Sequence, residues 1–418
     1  METIRLDRGL ARSVAPNGLT VLSEELPGVR SAAVGVWVRS ASAHEARPLM
    51  GVSHLLEHMV FKGTERRTAR QVALALESRG GSLDAFTSRD HTAYQAHVLD
   101  SDVAQAVDVL TDLVRRPLLR SDDLDLERKV VLEEISTVDD TPDDLVHELF
   151  AEQLFPTHPY GYSILGTRDS VTAVSAGDLR KVHGSGYYPG NCVVAAAGRV
   201  EHDRLLEMLA NEGWFAGEQP LPPRAPVDPG QARRGGEQRV ERDSAQTHIV
   251  FGTDTFAYRD PRRFALAIVT NLFGGGMSSR LFQRVREELG LAYAVYAYQQ
   301  LFQSAGTTGV YVGTQPASAD KAADAIRTEY GRLAREGLTA EEVAEGKQQF
   351  KGQVMLALES PQSRMTRLAG TTLMQDRYRP LDQLLADIDA VTHEEIQAVA
   401  AEFFAPERQT VVRLGPKA

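Results

Sequence analysis

His54-Leu55-Leu56-Glu57-His58 places two imidazoles and a carboxylate within little more than one helical turn. On a helix, positions i and i+4 lie one above the other on one face, so His54 and His58 can reach a single ion. Glu57, three residues after His54, borders the same face. Neutral imidazole suits Zn²⁺, which at reactive centres takes three protein ligands and keeps a fourth position for water. Water held there has its pKa lowered to about 7, and a neighbouring carboxylate can take its proton. The same five residues also describe an ordinary helix with two histidines and a surface glutamate, so a third ligand is needed to decide between the readings.

The stretch Ser121 to Asp139 offers one. Ser121 suits an N-cap, Asp122 and Asp123 suit a first turn, and Leu124, Val131 and Ile135 recur at helical spacing. Glu127 and Glu134 then share one face two turns, about 10 Å, apart. They are too far apart to be equivalent ligands. One on the ion and the other hydrogen-bonded to a ligand is the natural division, and a merely solvated acidic face is the alternative.

Two further stretches stand out. Gly80-Gly81 ends a helix that Thr68 begins, and the alternation around Ser88 to His91 predicts a hairpin whose first strand holds Asp84, Ala85, Phe86 and Thr87. Such a strand can take up a peptide by strand addition, or can be purely structural. The run Ser279-Arg-Leu-Phe-Gln-Arg-Val-Arg286-Glu-Glu-Leu-Gly-Leu-Ala-Tyr293 allows an amphipathic helix with a solvent-facing arginine and a core tyrosine.

Taken together, His54-x-x-Glu57-His58, Glu127 to Glu134, Gly80 to Tyr94 and Ser279 to Tyr293 resemble the pitrilysin family of zinc metallopeptidases. That family, which includes insulin-degrading enzyme and mitochondrial processing peptidase, carries the inverted H-x-x-E-H motif. The resemblance implies that His54, His58 and Glu134 hold one Zn²⁺ per chain, that Glu57 is the general base, and that Glu127 supports the centre. Asp84, Ala85, Phe86 and Thr87 would pair with substrate; the family usually has Asn where this chain has Asp84. Arg286 and Tyr293 would bind substrate and stabilise the intermediate, as an arginine fork and a phenol are suited to do.

Length and composition agree. A chain of 418 residues with 42% hydrophobic residues exceeds a usual single core. The expected division is 1–216 for the metal-binding domain, 217–236 for a Pro/Gly-rich linker, and 237–418 for the domain carrying Arg286 and Tyr293. Ser31 to Val38 and Thr247 to Gly252 each open a strand-then-helix unit, as diverged copies would. The fold class is α+β. The resemblance adds two homologous domains, each a mostly antiparallel sheet covered by helices. These form half of a clamshell chamber that a homodimer completes, with composite active sites.

A net charge of −11 argues against nucleic acid as a partner. No run of about 20 apolar residues predicts a membrane span, no basic-then-apolar leader opens the chain, and a cytoplasmic setting is expected. The single cysteine, Cys192, excludes an internal disulfide and falls in a strand that reads as buried. His91, His97, His147, His158 and His183 have no spacing that competes with His54 and His58. The expectation is a zinc-dependent endopeptidase acting on internal bonds of unfolded or short peptides. The alternative is a non-catalytic scaffold or peptide-binding subunit.

Overall fold

A computed structural model of the chain describes residues 1–217, 221–228 and 230–417; residues 218–220 and 229 of the expected linker lie outside the described residues. Twelve strands and fourteen α-helices follow one another along these residues. The chain opens with β1 (Glu2–Asp7), β2 (Leu10–Val14), β3 (Thr20–Glu25), β4 (Ser31–Val38), α1 (Val52–Val60) and α2 (Ala69–Glu77). Next come β5 (Ser82–Thr87), β6 (Thr92–Leu99), α3 (Val103–Arg115), α4 (Ser121–Asp139), α5 (Pro142–Leu154), α6 (Arg168–Ala173), α7 (Ala176–Gly186), β7 (Cys192–Gly198) and α8 (His202–Asn211). The second half holds β8 (Glu237–Glu241), β9 (Thr247–Thr255), α9 (Arg263–Gly274), β10 (Ala292–Leu301), β11 (Gly306–Thr314) and α10 (Ala319–Glu336). It closes with α11 (Ala340–Ala357), α12 (Pro361–Leu373), α13 (Leu381–Ala390), α14 (His393–Phe403) and β12 (Thr410–Gly415).

The chain forms two compact units. The first comprises 1–135, 163–226 and 356–378 and is built on a seven-stranded sheet of order β1-β2-β3-β7-β4-β6-β5. All pairs are antiparallel except β3 with β7. Along β4, Ala32, Val34, Val36 and Val38 face one apolar layer while Ala33 and Trp37 face another. A strand covered on both faces needs apolar residues at every position, which is why Ser31 to Val38 reads as continuous rather than alternating. The larger layer is covered by helices α1 to α4 and α6 to α8, through side chains such as Leu55, Leu110, Val131, Leu179 and Leu205. The opposite face is covered by α12, which buries Met365, Leu368 and Leu373 against Leu22, Trp37 and Val193. Three such side chains contribute roughly 5–9 kcal/mol of gross transfer free energy.

The second unit comprises 136–162, 227–355 and 379–418, and its five-stranded sheet has the order β10-β11-β9-β12-β8. Only β12 with β8 is parallel. Helices α9, α10 and α14 bury Leu266, Ile326 and Val399 against one face, around Phe251 and Val310. Against β9 and β12 packs α5, which buries Val146, Phe150 and Leu154. Gly252 makes room for it, since a Cβ there would lie 2.5 Å from Cζ of Phe150.

The α+β class and the mostly antiparallel sheets match the sequence reading. Each compact unit draws on three separate segments of the chain. Segment 136–162 of the first half completes the second unit, and 356–378 of the second half completes the first. The cause is burial: α5 and α12 are amphipathic helices whose apolar faces meet sheets far away in sequence.

Candidate metal centre

The helix α1 is held at its start by a residue the sequence reading passed over. Gly51, the N-cap, adopts φ 88°, and a Cβ there would lie 2.5 Å from the Leu165 carbonyl oxygen. With no side chain at the cap, Glu45 supplies the acceptors: its carboxylate oxygens take the N–H groups of Gly51 at 2.8 Å and Ser53 at 2.7 Å. These are donors that a helix start leaves unpaired. Burial pushes the Glu45 carboxyl up to about 7, against the pull of those two N–H groups. No spacing rule points to Glu45, because it acts from an irregular loop.

From that start, Leu55, Leu56, Met59 and Val60 anchor α1 in the core, and His54 and His58 rise from the other side. Their ring centroids are 4.6 Å apart. The α4 helix runs Ser121–Asp139 as expected and brings Glu134 to both rings. Oε2 of Glu134 lies 3.7 Å from His54 Nε2, and Oε1 lies 3.6 Å from His58 Nε2. The three ligand atoms fall within 4.8 Å of one another. Tetrahedral Zn²⁺ with bonds of about 2.0–2.1 Å requires ligand atoms about 3.3–3.4 Å apart, so a small inward adjustment completes the fit.

Protonation supports the same assignment. Burial, with the nearby His58 second, pushes His54 down to about 4, so the ring is neutral at physiological pH, the form that ligates. Its Nδ1 is buried without a hydrogen-bond partner among the described residues. His58 Nδ1 lies 3.2 Å from Glu127 Oε2, which fixes the proton on Nδ1 and leaves the Nε2 lone pair facing Glu134. Lys62 pairs with the other oxygen of Glu127, four residues beyond His58, and was also missed in the sequence reading. A carboxylate held by His58 on one oxygen and by Lys62 on the other fits the supporting role expected of Glu127.

Glu57 points elsewhere, toward β5. Its Oε2 accepts the Thr87 hydroxyl at 2.6 Å, and the residue is only 8% exposed. Burial raises its pKa; the Thr87 hydrogen bond and His58 pull it back, while Asp84 and Glu134 push it up further. Thus Thr87, expected to touch substrate, has its hydroxyl engaged by Glu57, the expected general base, and Asp84 adds negative charge beside it. β5 ends the sheet and pairs only with β6 among the described strands, so Asp84, Ala85, Phe86 and Thr87 lie on an edge.

Arg286 and Tyr293 belong to the second unit. Phe282–Glu288 winds as a π-helical segment rather than an ordinary α-helix, and Arg286 lies over the rings of Phe282 and Tyr293 at 4.6 and 4.8 Å. Tyr293 is 80% exposed, so the core position that a purely structural reading gives it is ruled out. The remaining histidines stay off the centre: His183, for example, bonds the Val114 carbonyl, and His147 the Tyr296 hydroxyl. Cys192 is fully buried, and burial pushes its thiol up to about 12.

Fold and site together define a class: α+β proteins of two sheet-and-helix units with an inverted H-x-x-E-H metal centre. A family model described as Insulinase (Peptidase family M16) matches residues 20–168, and one described as Peptidase M16 inactive domain matches residues 173–350. The chain belongs to peptidase family M16. It is 37% identical over 410 residues to an uncharacterized zinc protease of Streptomyces coelicolor, covering 97% of this chain and 89% of the relative. An uncharacterized zinc protease of Mycobacterium tuberculosis H37Rv is 40% identical over 414 residues, covering 97% and 93%. Among solved structures, a peptidase M16 inactive domain from Pseudomonas fluorescens superposes with a TM-score of 0.90 at 19% identity, covering 98% of each chain. A protease from Helicobacter pylori does so with a TM-score of 0.88 at 23% identity, covering 97% of this chain and 99% of that one. The resemblance read from the sequence therefore holds across nearly the whole chain.

Proposed function

We propose that the chain is a zinc-dependent endopeptidase that hydrolyses internal bonds of unfolded or short peptides. The observation that carries this reading is the convergence of His54, His58 and Glu134 beside the buried carboxylate of Glu57. When bound there, Zn²⁺ supplies Lewis acidity and makes water a usable nucleophile near neutral pH. Glu57 accepts the proton that water gives up and later delivers it to the leaving amine. The Thr87 hydroxyl holds Oε2 of Glu57, which leaves Oε1 for that proton. Burial makes the carboxylate a stronger base than an exposed one.

The substrate backbone adds to the edge of β5, a mode that recognises backbone more than side-chain sequence. Arg286 and Tyr293 complete the reading as donors to the scissile carbonyl oxygen as it gains charge. The exposed hydroxyl of Tyr293, without a hydrogen bond among the described residues and carried on a ring that Arg286 covers, supports that role. We place the two motifs in one active centre through a homodimer with composite sites enclosing a closed chamber.

The test is direct. Zinc-loaded protein incubated alone with a mixed peptide pool is expected to produce internal cleavages seen by mass spectrometry, lost on chelation and restored by zinc. An intact pool would sink the peptidase reading and favour the scaffold. For the dimer, Glu57→Gln and Arg286→Ala subunits are mixed and allowed to exchange: composite sites predict that activity returns. Absence of rescue, with exchange confirmed, would place the motifs in one subunit.

A further inference from the structure

On the face of the seven-stranded sheet opposite α1, the seam between the sheet and α12 is charge-balanced at one end and unbalanced at the other. Glu24 of β3 is paired with Arg364 of α12. Toward the C-terminal end of α12 a cavity of about 430 Å³ opens, and Arg39, the residue after β4, lines it. Arg39 is only 7% exposed, yet no carboxylate lies within 4 Å of it among the described residues. Its Nε has no hydrogen-bond partner, and its guanidinium makes a single long bond, 3.4 Å, from Nη2 to the Thr372 carbonyl. Burial pushes its pKa down, as expected for a guanidinium without a counter-ion.

The rest of the lining has matching chemistry. Arg12 of β2 joins the wall, also without a carboxylate partner among the described residues. The hydroxyl-bearing Thr20 and Thr371 line the same cavity, and Leu22 and Leu368 supply apolar surface. Asp376 and Arg377 also line the cavity and hold interactions of their own, so the arginines of the wall still outnumber its one carboxylate. Excess positive charge, hydroxyl donors and an apolar patch in one open-mouthed cavity match one ligand class. A guanidinium fork grips a planar or tetrahedral oxyanion through two parallel hydrogen bonds.

We propose that this cavity binds a small organic oxyanion, with its anionic group on Arg39 and Arg12 and its short apolar body against Leu22 and Leu368. Every residue named lies within the first unit and outside the metal centre, so the proposal stands apart from catalysis. A buried arginine that serves only to hold α12 would lose stability when removed. An arginine awaiting an anion would not, because its charge is uncompensated until the ligand arrives.

The experiment is calorimetric titration of the full zinc-loaded chain with hexanoate, acetate and inorganic phosphate at constant ionic strength. Hexanoate is expected to bind saturably, one per chain, and more tightly than acetate. Arg39→Met should weaken binding at least tenfold, while the ligand-free protein melts no lower than the parent. Arg39→Lys, which keeps the charge and loses the fork, should fall between them, and Thr371→Val should bind several-fold more weakly. Saturable phosphate binding lost in Arg39→Met would also support the oxyanion site and place phosphate esters among its ligands. The proposal is overturned if none of the three probes binds saturably, if binding is unchanged in Arg39→Met, or if Arg39→Met melts well below the parent.

Discussion

Glu57→Gln is expected to retain its zinc and lose about 10²–10⁴-fold in turnover, the range that general base catalysis supplies. Glutamine has the same shape, can still accept the Thr87 hydroxyl, and leaves the apolar anchors of α1 in place. The three ligand side chains are untouched. What disappears is the ability to take a proton from water. Metal content by elemental analysis, together with initial rates on a reporter peptide, separates this outcome from general damage. A metal-loaded Glu57→Gln protein cleaving at the parental rate would show that the proton goes elsewhere.

The largest stability effect is expected at Asp112 on α3. This carboxylate is fully buried, accepts the Thr64 hydroxyl at 2.6 Å, and pairs with Arg67 at 2.7 Å. Thr64 and Arg67 form the turn between α1 and α2, so Asp112 ties the chain just after the metal helix to the core. Breaking a buried pair by removing one member costs about 3–5 kcal/mol. Asp112→Ala should lie near the lower end, about 3 kcal/mol, because Arg67 keeps Asp108 as a partner. Urea unfolding in the presence of chelator measures this without a contribution from metal binding. A loss below about 1 kcal/mol would put the pair in the class of exposed ones, such as Arg204 with Glu207, which contribute little.

The contrast between these two residues explains what could be read without coordinates. His54, Glu57 and His58 were legible because helical periodicity converts sequence spacing into spatial proximity. The helix bearing Glu127 and Glu134 was legible for the same reason, though assigning one carboxylate to the ion and the other to a ligand histidine needed the family resemblance. Glu45, Lys62 and the Thr87 hydrogen bond were not legible. Glu45 acts through irregular backbone, which has no period, and Lys62 and Thr87 act through side-chain directions that depend on packing. Arg39 was invisible for a deeper reason: it stands out because no carboxylate among the described residues lies within 4 Å of it, and a sequence does not display a missing neighbour. The interleaving of α5 and α12 was hidden because amphipathicity announces that a face will be buried, not against which sheet.

That interleaving also sets a schedule for synthesis. The last strand of the first sheet, β7, ends at Gly198, whereas the helix that seals its second face begins at Pro361. At about 5–20 residues per second, roughly 8–30 s of translation separate the two. Throughout that interval Leu22, Trp37 and Val193 belong to a sheet whose cover has not yet been made. The first unit is therefore expected to complete its second layer only after α12 has been synthesised, and a nascent chain halted before Pro361 is expected to be more protease-sensitive around β3, β4 and β7 than the finished one.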